Sequence, residues 1–285
     1  MKYVVVTGAS TGIGRSSVKV LCENGFHVFA SVRKQIDADS LSDEFADKVT
    51  ALIFDTSDEV AVKAGAAKVK EIIGTATLSG LVNNAGIAVT GPLMHIPIDE
   101  LRHQLEVNTI APVIVTQAFL PLLGAVNPPV QTPGRIINIS SLAGVSAMPF
   151  AGPYAASKHA LEAISGSLRR ELMIYGIDVI IIGPGAVATP IWGKAEQVDT
   201  SQYNDTDFKQ AYEKMGKAMN DLGLGGITVE KVGELVHHTL TTAKPKVRYA
   251  IVPNRLRDWI IPQNLPHRLL DKIIGAKLGL KKLGS

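Results

Sequence analysis

Two rhythms of apolar residues alternate along the chain. Short β-branched runs recur at Lys2–Thr7, Phe26–Val32, Val49–Phe54, Ser79–Val82, Arg135–Ile139, Asp178–Ile182 and Val247–Val252. Each reads as a strand covered on both faces, because continuous Val/Ile/Leu runs mark buried parallel sheets. Between them, Gly12–Asn24, Asp58–Ile73, a long region from Ile98 to about Ala125, Pro153–Tyr175 and Val229–Thr242 read as helices. Ser57 is the expected N-cap of the second of these. No element is assigned between Arg33 and Lys48. Strands separated by helices imply parallel pairing through right-handed crossovers. The expected architecture is α/β, a doubly wound seven-stranded parallel sheet flanked by helices.

Two stretches break the pattern. Residues 189–226 are polar and end Leu222-Gly223-Leu224-Gly225-Gly226, which reads as an irregular lid over a binding cleft. Residues 254–285 form the other. There Leu265, Leu269, Leu270, Ile273, Ile274 and Leu278 recur at helical spacing, with His267, Arg268, Asp271 and Lys272 largely on the opposite side. We therefore expect one catalytic domain, 1–253, and a basic amphipathic C-terminal extension, 254–285.

Composition sharpens this picture. A hydrophobic content of 46% against 19% charged residues describes a globular chain with a large core. The net charge of +3 conceals a tail that holds ten Lys/Arg and two Asp from Lys244 onward, while the remainder carries 19 basic and 24 acidic residues. Confinement of the charge to the tail and the few aromatics argue against nucleic-acid binding. For the tail, two readings stand: peripheral docking on a membrane surface, or packing of its apolar stripe over the cleft or a neighbouring subunit. The single Cys22 has no intrachain disulfide partner, so a reducing compartment is expected, with Cys22 as packing. The chain opens directly into a strand and no long uninterrupted apolar run follows, so secretion and a spanning helix are not expected. The expected location is cytoplasmic, with membrane association through the tail left open. No Cys/His cluster has metal-ligand spacing, and His95, His103 and His159 read as surface or packing residues, so no metal is expected.

The chemistry lies in Tyr154-Ala155-Ala156-Ser157-Lys158 and in Ser141 upstream. Tyr and Lys four apart share a helix face. A neighbouring ammonium makes a phenol more acidic, and an acidic phenol exchanges protons with an alcohol oxygen. Moving a phenol from its ordinary pKa near 10 to neutrality requires roughly 4 kcal/mol of favourable charge interaction. Directly after the first strand comes Thr7-Gly8-Ala9-Ser10-Thr11-Gly12-Ile13-Gly14, then a helix. Glycines there let backbone amides approach a pyrophosphate at a helix N-terminus. At the end of the second strand stands Val32, not a carboxylate, followed by Arg33 and Lys34. An acidic residue there would hold a ribose 2′-hydroxyl, whereas Arg and Lys suit a 2′-phosphate. NADP(H) is favoured, and NAD(H) remains open.

With Asn83-Asn84-Ala85-Gly86, Asn108, Ser140-Ser141 and Pro184-Gly185 followed by Thr189, these motifs resemble the classical short-chain dehydrogenase/reductase family from about residue 2 to 252. The resemblance implies a Rossmann-like fold and hydride transfer between a nicotinamide and a carbinol or carbonyl carbon. It implies that Tyr154 is the general acid–base and that Lys158 lowers its pKa and grips the nicotinamide ribose. Ser141 would hydrogen-bond the substrate oxygen, and Asn108 would disturb its helix and hold a proton-relay water. Gly8, Ser10, Thr11, Gly12, Ile13 and Gly14 would cradle the cofactor, with Arg33 and Lys34 at its 2′ position and Asp55 and Thr56 at the adenine. Asn83, Ala85 and Gly86 would line the adenosine and ribose path. Pro184, Gly185, Val187 and Thr189 would hold the nicotinamide end.

Met148, Pro149, Phe150, Ile191 and Trp192 suggest an apolar wall for a bulky hydrophobic alcohol or ketone. Within the family, Ala30–Lys34 and the basic C-terminus are similar to members acting on steroids, retinoids and related lipids. A homodimer or homotetramer is implied through the helices bearing Asn108 and Tyr154. Two competing functions are a sugar-nucleotide epimerase or dehydratase, disfavoured by the GxxxGxG spacing, and a redox-sensing NADP(H) binder without turnover. A pure binder has no need of Ser141 and Tyr154.

Overall fold

The computed structural model describes residues 1–188 and 201–282. Seven parallel strands form one sheet: β1 (Lys2–Val6), β2 (Phe26–Val32), β3 (Val49–Ile53), β4 (Gly80–Asn83), β5 (Arg135–Ile139), β6 (Asp178–Pro184) and β7 (Arg248–Ile251). Their order is β3-β2-β1-β4-β5-β6-β7, every pair parallel. The order reverses between β1 and β4, which opens a crevice at the carboxyl ends of the strands.

Successive residues of each strand bury opposite faces, and helices cover both. On one side Val4, Val6, Val28, Ile137 and Ile182 pack against α1 (Gly12–Glu23), α2 (Gln35–Phe45) and α8 (Val229–Thr241) through Val18, Leu21, Leu41, Val232 and Val236. On the other, Val5, Phe29, Leu81, Ile136 and Val179 meet α3 (Glu59–Ile73) and α5 (Ala111–Phe119) through Val62, Val69, Val115 and Phe119. Residues 98–123 are long and apolar enough to cross a membrane, but Val115, Phe119 and Leu123 are at most 1% exposed in this second core. That run is a core element.

The sheet is the expected one, and three helical regions differ from expectation. α2 occupies the stretch left unassigned, anchored by Ala38 and Leu41, which are buried though their neighbours are polar. Two apolar residues three apart are too short a signal for a periodicity argument. The run from Ile98 is broken into α4 (Ile98–Leu105), a π-helical turn (Glu106–Ile110) and α5. The supposed irregular lid contains a regular helix in its described part, α7 (Lys209–Leu224). Ala211, Tyr212 and Met215 bury one face of it, with Met219 packed alongside. Its polar outer face and terminal glycines masked that stripe. The cap of α3 is Asp58, which accepts from the Ala61 amide at 3.0 Å, in place of Ser57. Ser57 instead caps Asp55, donating to its Oδ1 from both N and Oγ.

The tail is helical: a π turn (Leu256–Ile260), α9 (Ile261–Asn264) and α10 (His267–Leu278). Leu278 is buried and Ile274 packs with it in a third cluster that holds α7, Tyr203 and Phe150. Leu269 and Ile273, on the same stripe, are 45% and 50% exposed. The stripe therefore divides, one end over α7 and the other facing outward.

Candidate active site

The glycine turn between β1 and α1 is pinned to the loop after β4. Asn84 Nδ2 donates to the carbonyls of Thr7 and Gly8 at 2.8 and 3.0 Å, and the amides of Asn84 and Ala85 donate to Thr7 Oγ1. Gly8 and Gly12 have φ of +64° and +58°, a region that disfavours side chains. At Gly14 the demand is steric: a Cβ would sit 2.2 Å from the Gly8 carbonyl oxygen and 2.5 Å from Asn84 Nδ2. The first amides of α1 are open, since Thr11 makes no side-chain cap. Ser10, Thr11 and Ile13 lie along this turn, as expected.

Arg15, one residue further on, was not singled out from the sequence. Its guanidinium ties the Ser10 carbonyl to α2, donating to Ser40 Oγ and to Glu44 Oε2 at 2.9 Å each. The unassigned helix α2 hid its partners. Arg33 and Lys34 follow β2 as exposed residues. Arg33 is 68% exposed and, among the described residues, its ion pair is a 3.8 Å contact with Asp55. Burial pushes the Asp55 carboxyl up, but the hydrogen bonds from Ser57 and the charges of Arg33 and His103 outweigh it, so its pKa lies below the ordinary value.

Thr7, Thr56, Asn83 and Ala85 line one narrow cleft at the base of this path with Val107, Pro112 and Val115. Asn83 has its amide engaged, donating to Thr116 Oγ1 on α5 at 3.1 Å and to Asn138 Oδ1 on β5 at 2.9 Å. Asn138 continues the chain to Ser165 Oγ at 2.8 Å. Gly86 stands over Asn108, where a Cβ would lie 3.2 Å from Asn108 Oδ1. Asn108, fully buried in the π turn, brackets Ile87: its Oδ1 accepts from the Ile87 amide and its Nδ2 donates to the Ile87 carbonyl, both at 2.9 Å. Nδ2 also donates to Ser157 Oγ at 3.1 Å, which ties the loop after β4 to the helix that carries Tyr154.

That helix is α6 (Gly152–Glu171). Tyr154 and Lys158 share one face of it, and the Lys158 Nζ lies 5.8 Å from the centre of the Tyr154 ring. The Ser141 hydroxyl caps the turn after β5, accepting from the Ala143 amide at 3.1 Å, and it lies close enough to the Tyr154 phenol to favour its ionised form. Lys158 is 5% exposed and donates to the Ile139 carbonyl at 2.9 Å.

The acid–base balance differs from the expectation of an acidic phenol. Burial raises the Tyr154 pKa above its ordinary value, and the Ser141 hydroxyl only partly opposes this. Lys158 is itself drawn down to about 8 by burial, with Glu162 opposing. Its ammonium donates to a backbone carbonyl and lies over the Tyr154 ring.

At the other end, Gly185 donates to Ile251 O at 2.9 Å, and buried Val187 bridges to Ile227. Thr189, Ile191 and Trp192 lie outside the described residues. Leu93, Met94, Val145 and Met148 are exposed on the two loops beside α6, from 37% to 79%.

Residues 2–200 match the profile of the short chain dehydrogenase family. The chain belongs to that family. It is 43% identical over 283 residues to the "NADPH-dependent 3-dehydrocapnine reductase" of Ornithobacterium rhinotracheale, with 99% of each chain covered. It is 32% identical over 286 residues to "Retinol dehydrogenase 5" of Homo sapiens, covering 95% of this chain and 87% of that one. A short-chain dehydrogenase structure from Streptomyces avermitilis superposes with a TM-score of 0.75 at 24% identity, over 99% and 98% of the two chains, which shows the shared fold. This short-chain dehydrogenase is thus a nicotinamide-dependent oxidoreductase acting between alcohols and carbonyls. The epimerase and sensor readings give way to it.

In Gly14→Ala the added methyl displaces Gly8 or Asn84 and opens the turn. NADPH affinity, followed by fluorescence titration, is expected to fall at least about tenfold, the equivalent of ~1.4 kcal/mol. Far-ultraviolet circular dichroism should stay as in the wild type; unchanged affinity would remove the turn from the site.

Proposed function

We propose that this protein reduces the ketone of a hydrophobic, lipid-like substrate with NADPH, through Ser141, Tyr154 and Lys158. The observation that carries the reading is the convergence of the Ser141 hydroxyl, the Tyr154 phenol and the Lys158 ammonium at the carboxyl edge of the sheet, beside the glycine turn.

The residues present fit a nicotinamide dinucleotide. The close-packed turn of Gly8, Ser10, Thr11, Gly12, Ile13 and Gly14, with its open amides, suits a pyrophosphate. Arg33, weakly engaged by Asp55, is free to swing to a 2′-phosphate, with Lys34 adding charge. Asp55 and Thr56 would flank the adenine, Ala85 and Gly86 the ribose path, and Pro184, Gly185 and Val187 the nicotinamide end. When bound, the nicotinamide supplies the hydride. The chain's own part is to place the carbonyl and deliver a proton. Ser141 would donate to the substrate oxygen, and Tyr154 would pass its phenolic proton there. Lys158 would hold the ribose and stabilise the phenolate left behind.

The phenol is in the form that reduction uses. A raised Tyr154 pKa keeps the proton on the oxygen at neutral pH, the form that reduction requires. The reductase named above, 43% identical to this chain, supports the same direction and cofactor. The exposed Leu93, Met94, Val145 and Met148 beside the site support an apolar substrate, as do the retinol and hydroxysteroid dehydrogenases among the relatives. A homo-oligomer is supported by Ile98 and Ile110, exposed on the helical run that carries Asn108. The exposed Leu256, Ile260, Ile261, Leu269 and Ile273, set among the basic tail residues, support peripheral contact with an anionic membrane surface by an otherwise cytoplasmic protein.

Three outcomes are expected. Tyr154→Phe should retain NADPH binding while turnover of a hydrophobic ketone falls by about 10²-fold or more; retained turnover would overturn the role of the phenol. Arg33→Ala should weaken NADPH binding by about tenfold and leave NADH binding unchanged; equal loss for both would overturn the phosphate clamp. The full chain should float with phosphatidylserine vesicles and be released by about 0.5 M salt. Flotation equal to that with phosphatidylcholine alone would exclude the electrostatic contribution.

A further inference from the structure

The start of the tail lies against an ion pair made by α6. α6 presents Tyr154, Lys158 and Glu162 at four-residue intervals along one face. Glu162 is gripped from β7 by Arg248: Nε lies 3.0 and 3.2 Å from the two carboxylate oxygens, and Nη2 lies 3.1 Å from Oε1. Both side chains are largely buried, 18% and 14% exposed for Arg248 and Glu162. Nη2 also reaches the backbone carbonyl of Ser141 at 3.3 Å. The guanidinium lies 4.4 Å from the ring centre of Trp259, in the π turn that begins the tail. The packing leaves no slack, since a Cβ on Gly183 would come within 2.5 Å of Arg248 Nη2, and one on Gly144 within 2.9 Å of Glu162 Cγ. Nη1 of Arg248 is buried and meets no acceptor among the described residues.

Stability alone is a poor reason for this arrangement. Buried ion pairs are often no better than an apolar replacement, because desolvation offsets their attraction. The position of the pair is more informative: the carboxylate lies one turn beyond Lys158, and the guanidinium lies against the carbonyl of the serine that meets the phenol.

We infer that the Glu162–Arg248 pair, capped by Trp259, is a positioning unit that keeps the Lys158 ammonium charged and the Ser141 turn in place, so that turnover depends on the C-terminal tail. This rests on the proposal that Lys158 works in its charged form. The elements packed against α6 carry other charges. They are Asp99, Glu100, Arg102 and His103 on α4, Glu106 in the π turn, Asp178 at the far end of β6, and Arg248 itself. Arg102 pairs with Asp99, and Arg135 with Asp178. Glu162 is the charge that acts on Lys158, and it opposes the downward pull of burial. Removing that charge therefore lowers the Lys158 pKa further, and the ammonium is lost at a lower pH.

The test is a titration of Lys158 in the full-length protein, read by NMR from 13Cε-labelled lysine and assigned by loss of the signal in Lys158→Met. Lys158 should titrate near 8 in the wild type. In Glu162→Gln the midpoint should fall by about one pH unit, a tenfold change in the protonation equilibrium. Glu162→Asp, which keeps the charge, should restore it. Turnover of 2-decanone with NADPH should follow, its alkaline limb moving down in Glu162→Gln and returning in Glu162→Asp. An unmoved Lys158 midpoint, or equal midpoints in the Gln and Asp variants, would overturn the inference. If Lys158→Met turned over ketone like the wild type, the charged-lysine proposal would fall instead. For the tail, Trp259→Leu lies outside the buried pair. It should lower kcat several-fold with the KM for 2-decanone little changed, and Trp259→Phe should restore it. Wild-type kcat in Trp259→Leu would release the tail from the unit.

Discussion

An ammonium buried at the edge of an apolar sheet is the constraint around which this molecule is arranged. Taking a lysine charge out of water costs several kcal/mol unless partners replace the lost hydration. Lys158 is 5% exposed, and its pKa near 8 records how incompletely the cost is met. The Ile139 carbonyl supplies one hydrogen bond, and Glu162 supplies a counter-charge. A buried carboxylate then needs a partner of its own, and Arg248 provides it. Arg248 in turn is covered by Trp259 and joined to the Ser141 carbonyl. One buried charge thereby recruits α6, β7, the turn after β5 and the start of the tail.

The carboxyl edge of the sheet is polar for a related reason. Strand interiors hold Val, Ile and Leu, yet at the strand ends Asn83, Asn138 and Ser165 form a buried chain, and Gln104, Asn108 and Ser157 form another. Loops leaving parallel strands expose backbone groups that no ladder can satisfy. Gln104 and Asn108 fill that role, fixing Ile87 and Val89 and reaching Ser157 on α6. A π-helical turn at Glu106–Ile110 lets Asn108 reach them, so the irregularity in the helix is the geometric condition for tying two loops together.

The seven strands and their parallel pairing were legible because each is a short, mainly apolar run separated from the next by a helix or a polar stretch. The glycine turn, Ser141, Tyr154 and Lys158 were legible because their chemistry depends on local spacing. What escaped depended on tertiary context. α2 buries only Ala38 and Leu41, so its stripe is too sparse to register. α7 has a regular stripe obscured by polar residues on its outer face. Arg15 and Arg248 act on residues far away in sequence, Glu44 and Glu162, which no spacing rule links. The direction of the Tyr154 pKa was also out of reach, because it turns on where the Lys158 ammonium points and on how dry the phenol is.

The packing of α7 and of the tail answers a second local conflict. Phe150 has φ +67°, a conformation that costs a side-chain-bearing residue about 1–3 kcal/mol. It sits four residues before Tyr154, so its backbone sets the start of the catalytic helix. Two things hold it: its carbonyl accepts from the Gly91 amide at 2.7 Å, and its ring lies 5.5 Å from that of Tyr212 and 6.0 Å from that of Phe208. Tyr212 belongs to α7, and Leu278 of the tail is buried in the same cluster. The tail therefore packs near the catalytic helix at two points. At one it closes an apolar cluster over a strained turn, and at the other it covers the buried ion pair through Trp259. The extension thus packs against the 1–253 domain both at the entry to α6 and over the Glu162–Arg248 pair.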